Sequence, residues 1–303
     1  MGQFEDMTLF SKIVESGSIT AAADQLGLAK SAVSRRLAEL EGRLGVQLLN
    51  RTTRKSSLTD AGQLFYTQSQ KILNDTQDMI SAVSLAKSEL SGTLRVAAPL
   101  SFGLKHLAPV VTRFASDHPA LTIDLSFADR QVNLIEDGID VAIRIAALEN
   151  SSLIARRLTT IRHNICASPA YLARFGTPTH PDDLHHHRIL RYKSPTGLVH
   201  RLTGANGQQY ELGGQTAMLS NNGDFLRQAA LEGLGLFFTP TFISYENVQD
   251  GSLIPGLTDY QTIELGAYAI YPQTRYLSSR VRLFIDHMAR NFSEIPYWDL
   301  PKP

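Results

Sequence analysis

The chain has 303 residues, 43% apolar and 19% charged, and its 29 basic and 29 acidic side chains balance to zero net charge. That length supports two or three compact units, and the composition excludes a disordered chain. No apolar run approaches the roughly 20 residues of a bilayer span, and the acidic opening Met1–Asp6 has no secretory hydrophobic region behind it. A cytoplasmic protein is expected. The single cysteine, Cys166, cannot form an intrachain disulfide, and its neighbours Ile165 and Ala167 suggest a packed core thiol.

In chain order, Asp6 to Val14 reads as a first helix, with Met7, Leu9, Phe10, Ile13 and Val14 at helical spacing, closed by Gly17 and Ser18. A short second helix follows from Thr20, the expected N-cap, through the small residues Ala21, Ala22 and Ala23 to Leu26. Gly27 supplies a turn. A third helix runs from Lys30 to Leu44, with Val33, Leu37, Leu40 and Leu44 on one stripe, Ser31, Ser34, Arg35 and Glu39 on the other, and Gly45 as its stop. Small alanines allow close helix crossing, and short polar side chains with arginines suit base edges and phosphates; the arrangement is that of a helix-turn-helix. Between Leu28 and Leu58, seven basic residues (Lys30, Arg35, Arg36, Arg43, Arg51, Arg54, Lys55) face two acids (Glu39, Glu41), a net of +5 over one short stretch. Val46 to Leu58 reads as a β-wing.

Thr59 and Asp60 cap a long helix to about Lys87, in which Phe65, Ile72, Leu73, Met79, Ile80 and Val83 recur at spacings of three, four and seven. An isolated helix has nothing to bury that stripe against, so a partner helix is implied, although packing on the chain's own domains fits the periodicity too. From Leu94 the pattern alternates: strand Leu94–Ala98, a helix with Leu104, Leu107, Val111 and Phe114 on one face, strand Leu121–Phe127, a short helix Val132–Asp137 and strand Ile139–Ile145. This order predicts a parallel sheet covered by helices. A second unit opens with Ile165–Ala167 and Ile189–Tyr192. It continues with a helix Phe225–Leu231, the turn Gly233–Gly235 and a strand ending at Pro240. A final strand Ala267–Tyr271 and helix Ser279–Phe292 are expected to return to the first unit.

The run SITAAADQLGLAKSAVSRRLAELEGRLGVQLLNRTTRKSSLTDAG resembles the winged helix-turn-helix of LysR-type transcriptional regulators over more than forty contiguous residues. IDVAIRI, SSLIARRL, CASPAYLARFG and the helix-GLG-strand-TP run resemble the periplasmic-binding-protein-like (type 2) effector domain of the same family. The resemblance implies an α/β fold in three parts: a DNA-binding head over 1–59, a dimerising linker helix over 60–89, and a two-lobed effector domain over 90–303. Lobe I covers about 91–162 and 268–303, lobe II about 163–267. It implies a homodimer or homotetramer on promoter DNA, a small-molecule effector between the lobes, and contact with RNA polymerase. By the same resemblance Lys30, Ser31, Ser34 and Arg35 contact bases and phosphates, with Arg51 and Arg54 on the wing. Lys30 stands where many members carry glutamine, so base preference does not transfer.

For the effector, Ser101 and Phe102 open a helix after a strand, where N–H groups and a hydroxyl favour an anion. Arg130 and Arg144 could pair a carboxylate, or form structural salt bridges, and Tyr192 and Asn221 could line the other lobe. Asn133 and Asn222 replace aspartates common in related members. His163, His180 and His185–His187 lack metal-ligand spacing, and no nucleophile elbow, phosphate loop or dinucleotide fingerprint is present. No metal, cofactor or enzymatic activity is expected. A solute-binding protein of transport would share the effector architecture, and a pure scaffold is conceivable; the basic head argues against both.

Overall fold

The computed structural model describes residues 2–51, 56–83, 90–129, 132–147, 154–193, 201–272 and 277–300. Its backbone packs into two units: Met1–Thr93 with Ile135–Gly138, and Leu94–Leu134 with Ile139–Pro303.

In the first unit, α1 (Gln3–Ser16), α2 (Ile19–Leu26) and α3 (Lys30–Leu44) precede a hairpin of β1 (Leu49–Arg51) and β2 (Ser56–Leu58), and then α4 (Asp60–Val83). The N-cap of α2 is Ser18, whose hydroxyl accepts the Ala21 N–H at 3.0 Å, two residues earlier than the expected Thr20. Gly27 and Gly45 close α2 and α3 at φ +64° and +69°, a region open to glycine because it has no Cβ. Leu9, Phe10, Ile13, Ala22, Ala23, Val33, Leu37, Leu40, Leu48 and Leu49 form one core, on which Phe65 and Tyr66 of α4 also pack. Thr59 accepts the Gly62 N–H at 2.9 Å and so starts α4, as its sequence suggested.

In the second unit, β3 (Gly92–Ala98) leads into α5 (Leu100–Phe102), a π-helical segment (Gly103–Leu107) and α6 (Ala108–Asp117). Then come β4 (Leu121–Phe127), β5 (Val141–Ala146), β6 (Ile154–Ile161) and β7 (His163–Ala167). Next are α7 (Pro169–Phe175), a 3-10 turn (Pro181–His186), β8 (Arg188–Tyr192), β9 (Arg201–Thr203), β10 (Gln209–Glu211) and β11 (Gln215–Ser220). The chain continues through α8 (Gly223–Leu231), β12 (Leu236–Pro240), α9 (Thr241–Gln249), β13 (Ile254–Gly256) and β14 (Gln261–Thr262). It ends with β15 (Leu265–Tyr271), α10 (Ser279–Asn291) and a 3-10 turn at Tyr297–Asp299.

Two five-stranded sheets organise this unit, ordered β4-β3-β5-β15-β6 in lobe I and β11-β8-β12-β7-β13 in lobe II. β3 and β5 are parallel, as the alternating pattern predicted, but β15 runs antiparallel to both β5 and β6, so the sheet is mixed. The last strand thus rejoins the first sheet. The short helix expected at Val132–Asp137 is instead an irregular turn: Val132 and Leu134 are buried in a cluster with Ala97, Ala142 and Ile270, and Gly138 takes φ +64°. Two apolar side chains in one turn suffice for a tie-down without a helix. In lobe II a small sheet, β10-β9-β14, adds to the main one.

Candidate DNA interface and effector crevice

In the head, Val33, Leu37 and Leu40 are at most 4% exposed and fix the inner face of α3. That leaves Ser31 and Arg35 exposed and Ser34 half-exposed on the outer face, with Lys30 exposed at the helix start. Arg35 reaches Glu39 only at 3.8 Å, with 76% of its side chain exposed. α3 starts at Ala29 without a side-chain cap, so its first N–H groups are available to an anion such as a phosphate.

The remaining charges of the basic stretch divide by role. Arg36 pairs with Glu5 at 3.1 Å and Arg43 with Asp6, tying α3 to α1. Glu41 is buried and accepts the N–H groups of Leu48 and Leu49 at 2.8 and 3.2 Å, anchoring the first wing strand to α3. These three side chains are structural, and the net charge of the stretch could not separate them from the outward-facing ones. Arg51 ends β1, whereas Arg54 lies outside the described residues.

Between the two lobes, the carboxyl ends of β3 and β4 lie on one side and those of the parallel pair β8 and β11 on the other. Ser101 is buried at 8% exposure at the first helical turn after β3. The helix start already has an acceptor: Asp129, just past β4, takes the Leu100 N–H at 3.1 Å. Burial raises the Asp129 carboxyl above the usual range, that hydrogen bond lowers it, and Asp224 across the crevice raises it again. Tyr192 is pushed up to about 12 by burial and by Asp129. Lys105 bridges to Asp224 at 3.4 Å, from lobe I to lobe II. Asp129, Lys105 and Asp224 were not singled out in the sequence; the only signal was a polar residue directly after a strand or at the start of a helix.

The other expected effector residues sit differently. Phe102 is fully buried, stacked on Phe292 at 5.8 Å and edge-on to Phe242 and Trp298, so its side chain faces the core and not a ligand. Arg144 donates to the Val132 carbonyl, and its guanidinium holds the turn after β4. Asn221 is exposed beside Asn222, which caps α8 by accepting the Phe225 N–H at 2.8 Å. Arg130 lies outside the described residues.

Next to Phe102, His106 spans lobe I to lobe II. Its Nε2 meets the Phe242 carbonyl at 3.2 Å and its Nδ1 the Tyr297 hydroxyl at 2.8 Å. A carbonyl only accepts, so Nε2 carries the proton and Nδ1 accepts from Tyr297. Burial lowers the imidazole to about 4. Cys166 is buried, and burial raises its thiol to about 12, which favours the neutral thiol of a packed core side chain. The histidines diverge: His163 bonds the Ile263 carbonyl and His187 the Tyr171 hydroxyl. Among the described residues no group of three or more His, Cys, Asp or Glu is placed to hold a metal, and no helix is long and apolar enough to cross a membrane.

Two family models match the chain: the bacterial regulatory helix-turn-helix protein of the lysR family over residues 4–63, and the LysR substrate binding domain over residues 87–293. The HTH-type transcriptional regulator CrgA of Neisseria meningitidis serogroup C is 36% identical over 289 residues, spanning 94% of this chain and 95% of that protein. An uncharacterized HTH-type transcriptional regulator of Haemophilus influenzae is 35% identical over 281 residues, 93% and 98% of the two chains. The full-length structure of the Vibrio cholerae virulence activator AphB superposes with a TM-score of 0.60 at 30% identity, covering 95% of this chain and 98% of AphB.

Proposed function

The chain belongs to the LysR family of DNA-binding transcriptional regulators with an effector-binding domain, and from that premise we propose where it reads DNA and where it senses its effector. Lys30, Ser31, Ser34 and Arg35 contact the major groove and its phosphates, and Arg51 and Arg54 of the wing contact the adjacent backbone. The observation that carries this reading is the outer face of α3, polar, basic and uncapped at its start, held outward by three buried apolar residues on the inner face. Short hydroxyls reach base edges, while cations and helix N–H groups hold phosphates.

The effector lies between the lobes against Ser101, Tyr192 and Asn221, with Asp129, Lys105 and Asp224 around it. Phe102 and Arg144 support that site through core packing and the turn after β4. The ligand must interact differently with the open and closed lobes, or no signal follows. Ile72, Met79 and Ile80 of α4 are 44%, 61% and 51% exposed, an apolar surface suited to a second copy of the helix. A dimer, assembling further to a tetramer, then sets two or more heads on successive half-sites. The protein works in the cytoplasm as a regulator in contact with RNA polymerase, not as an enzyme.

Selection of genomic DNA fragments by the purified protein, with Arg35→Ala alongside at the same salt concentration, tests the DNA assignment. Enrichment of a few dyad-symmetric promoter fragments, lost in the variant, is expected. Enrichment that survives Arg35→Ala removes that residue from the interface. Ser101→Ala is expected to blunt the response of DNA binding to effector while basal binding persists, and an undiminished response moves the effector elsewhere.

A further inference from the structure

If the crevice between the lobes takes the effector, as proposed above, its unpaired polar groups state what that effector has to offer. Two carboxylates stand there. Asp224, at the start of α8, is shared by two cations, Lys105 of lobe I at 3.4 Å and Arg227 of its own helix at 3.6 Å. Asp129, just past β4, is half-buried and accepts one hydrogen bond, from the Leu100 N–H at 3.1 Å. Among the described residues no cation pairs with it, and the one charge acting on it is the carboxylate of Asp224. Burial, joined by that repulsion, holds the Asp129 carboxyl above the usual range against its single hydrogen bond.

The groups around Asp129 are hydroxyls. Ser101 follows Leu100 directly and is 8% exposed, yet its side chain makes no hydrogen bond among the described residues. Its oxygen is not among the sealed-in polar atoms of the chain, so it opens on the crevice at the carboxyl end of β3. Tyr192 ends β8 on the facing lobe, and its hydroxyl is likewise unpaired among the described residues. Burial and the Asp129 charge push that phenol up to about 12, so it stays neutral at any working pH. The helix start is where the sequence suggested an anion. Its Leu100 N–H is already taken, however, and an anionic effector would meet the like charge of Asp129 there.

A half-buried carboxylate with one hydrogen bond and no counter-ion is poorly stabilised, and a cation that carries N–H groups relieves it through a charge-assisted bond. A carboxylate only accepts, and a hydroxyl accepts as readily as it donates, so Asp129, Ser101 and Tyr192 together match the three donors of a primary ammonium. We infer that the effector is an amine, a small molecule whose ammonium group is seated on Asp129 between Ser101 of lobe I and Tyr192 of lobe II. Contacts on both lobes make its affinity depend on the lobe separation, which is what a signal requires. Asp129 then serves twice, at the helix start through an oxygen lone pair and at the ammonium through its charge. Asparagine keeps the first role and loses the second.

The test is calorimetric titration of the full-length protein with a panel of primary amines (linear alkylamines, diamines and benzylamine), each paired with the carboxylate of the same carbon skeleton. Saturable binding by at least one amine is expected, with its matched carboxylate at least about 10-fold weaker. Asp129→Asn retains an acceptor for the Leu100 N–H, so the unfolding midpoint stays put while amine affinity falls about 10- to 100-fold. Ser101→Ala is expected to weaken the same amine roughly 3- to 10-fold. Absence of saturable amine binding overturns the inference. So does a preference for carboxylates that Ser101→Ala weakens, which keeps the effector in the crevice with the opposite charge. Amine binding weakened by Ser101→Ala and untouched by Asp129→Asn overturns Asp129 as the seat. Binding indifferent to both substitutions overturns the crevice itself as the site.

Discussion

In the head, four of the six side chains assigned to DNA lie within six consecutive positions of one helix, Lys30 to Arg35, whereas the crevice side chains come from separate segments at positions 101, 129, 192 and 224. A helical face is a local object: once the 3.6-residue period places Val33, Leu37 and Leu40 inward, Ser31 and Arg35 have to face outward, while Lys30 is exposed because it opens the helix. A crevice between lobes is a product of sheet order and chain crossing, and each of its residues is locally unremarkable. The head therefore follows from the pattern of one helix at a time. The effector domain does not.

The largest expected effect falls on the shared support of the head. Leu37→Ala empties a site that is 2% exposed, and roughly 2–5 kcal/mol of stability should be lost in denaturant unfolding, with DNA binding falling as a consequence. A loss below 1 kcal/mol would mean that α3 is not held by this core. Next comes Arg35→Ala, on the exposed side of the same helix: DNA affinity should fall by about 1–3 kcal/mol while the unfolding midpoint stays put. Together these two variants separate scaffold from reading surface. If both act on stability alone, the division fails.

In the effector domain the corresponding probe is pH. His106 is held neutral in the folded chain, at about 4 against 6.5 for the free side chain. The unfolded chain therefore takes up its proton first as the pH falls. The stabilisation is complete above about pH 6.5 and is lost progressively toward pH 4. Thermal unfolding of the effector domain should show that slope, and His106→Gln should flatten it; an identical slope in the variant would assign it to other groups. The smallest effect is expected for Arg36→Ala, which removes an ion pair to the half-exposed Glu5. At most about 1 kcal/mol of stability should be lost, with DNA affinity nearly unchanged. A loss of affinity as large as that of Arg35→Ala would return Arg36 to the interface.

Local pattern located most elements. The bounds of α3 are those read from its stripe and its Gly45 stop, and β4 spans Leu121–Phe127 as the strand pattern indicated. Elements that the local pattern does not single out, among them β6, α7, α9, β11, β13 and the small β10-β9-β14 sheet, are short or lack a clean period. β6 carries Arg156 and Arg157 in mid-strand, and α9 follows directly on Pro240, which reads as a strand end. The segment Val132–Asp137 suits a helix by its spacing of apolar residues, but that spacing fits an irregular turn equally well, and the turn is what forms.

For the sites, residue type was legible and partnership was not. Arg35, Arg36 and Arg43 are equivalent as letters on one basic stretch, yet two of them bind the acids of α1 and one faces outward. Ser101 and Phe102 are adjacent, yet the phenylalanine is wholly within an aromatic core that joins α9 and the C-terminal turn. The sequence alone determined the helical head, its outward polar face, the alternation of strands and helices, and the family to which the chain belongs, because each is written in contiguous residues or in short-range periodicity. Only the tertiary structure decided which charges are paired and that Asp129 already occupies the helix start opposite Tyr192, because those facts depend on distances between residues far apart in the chain.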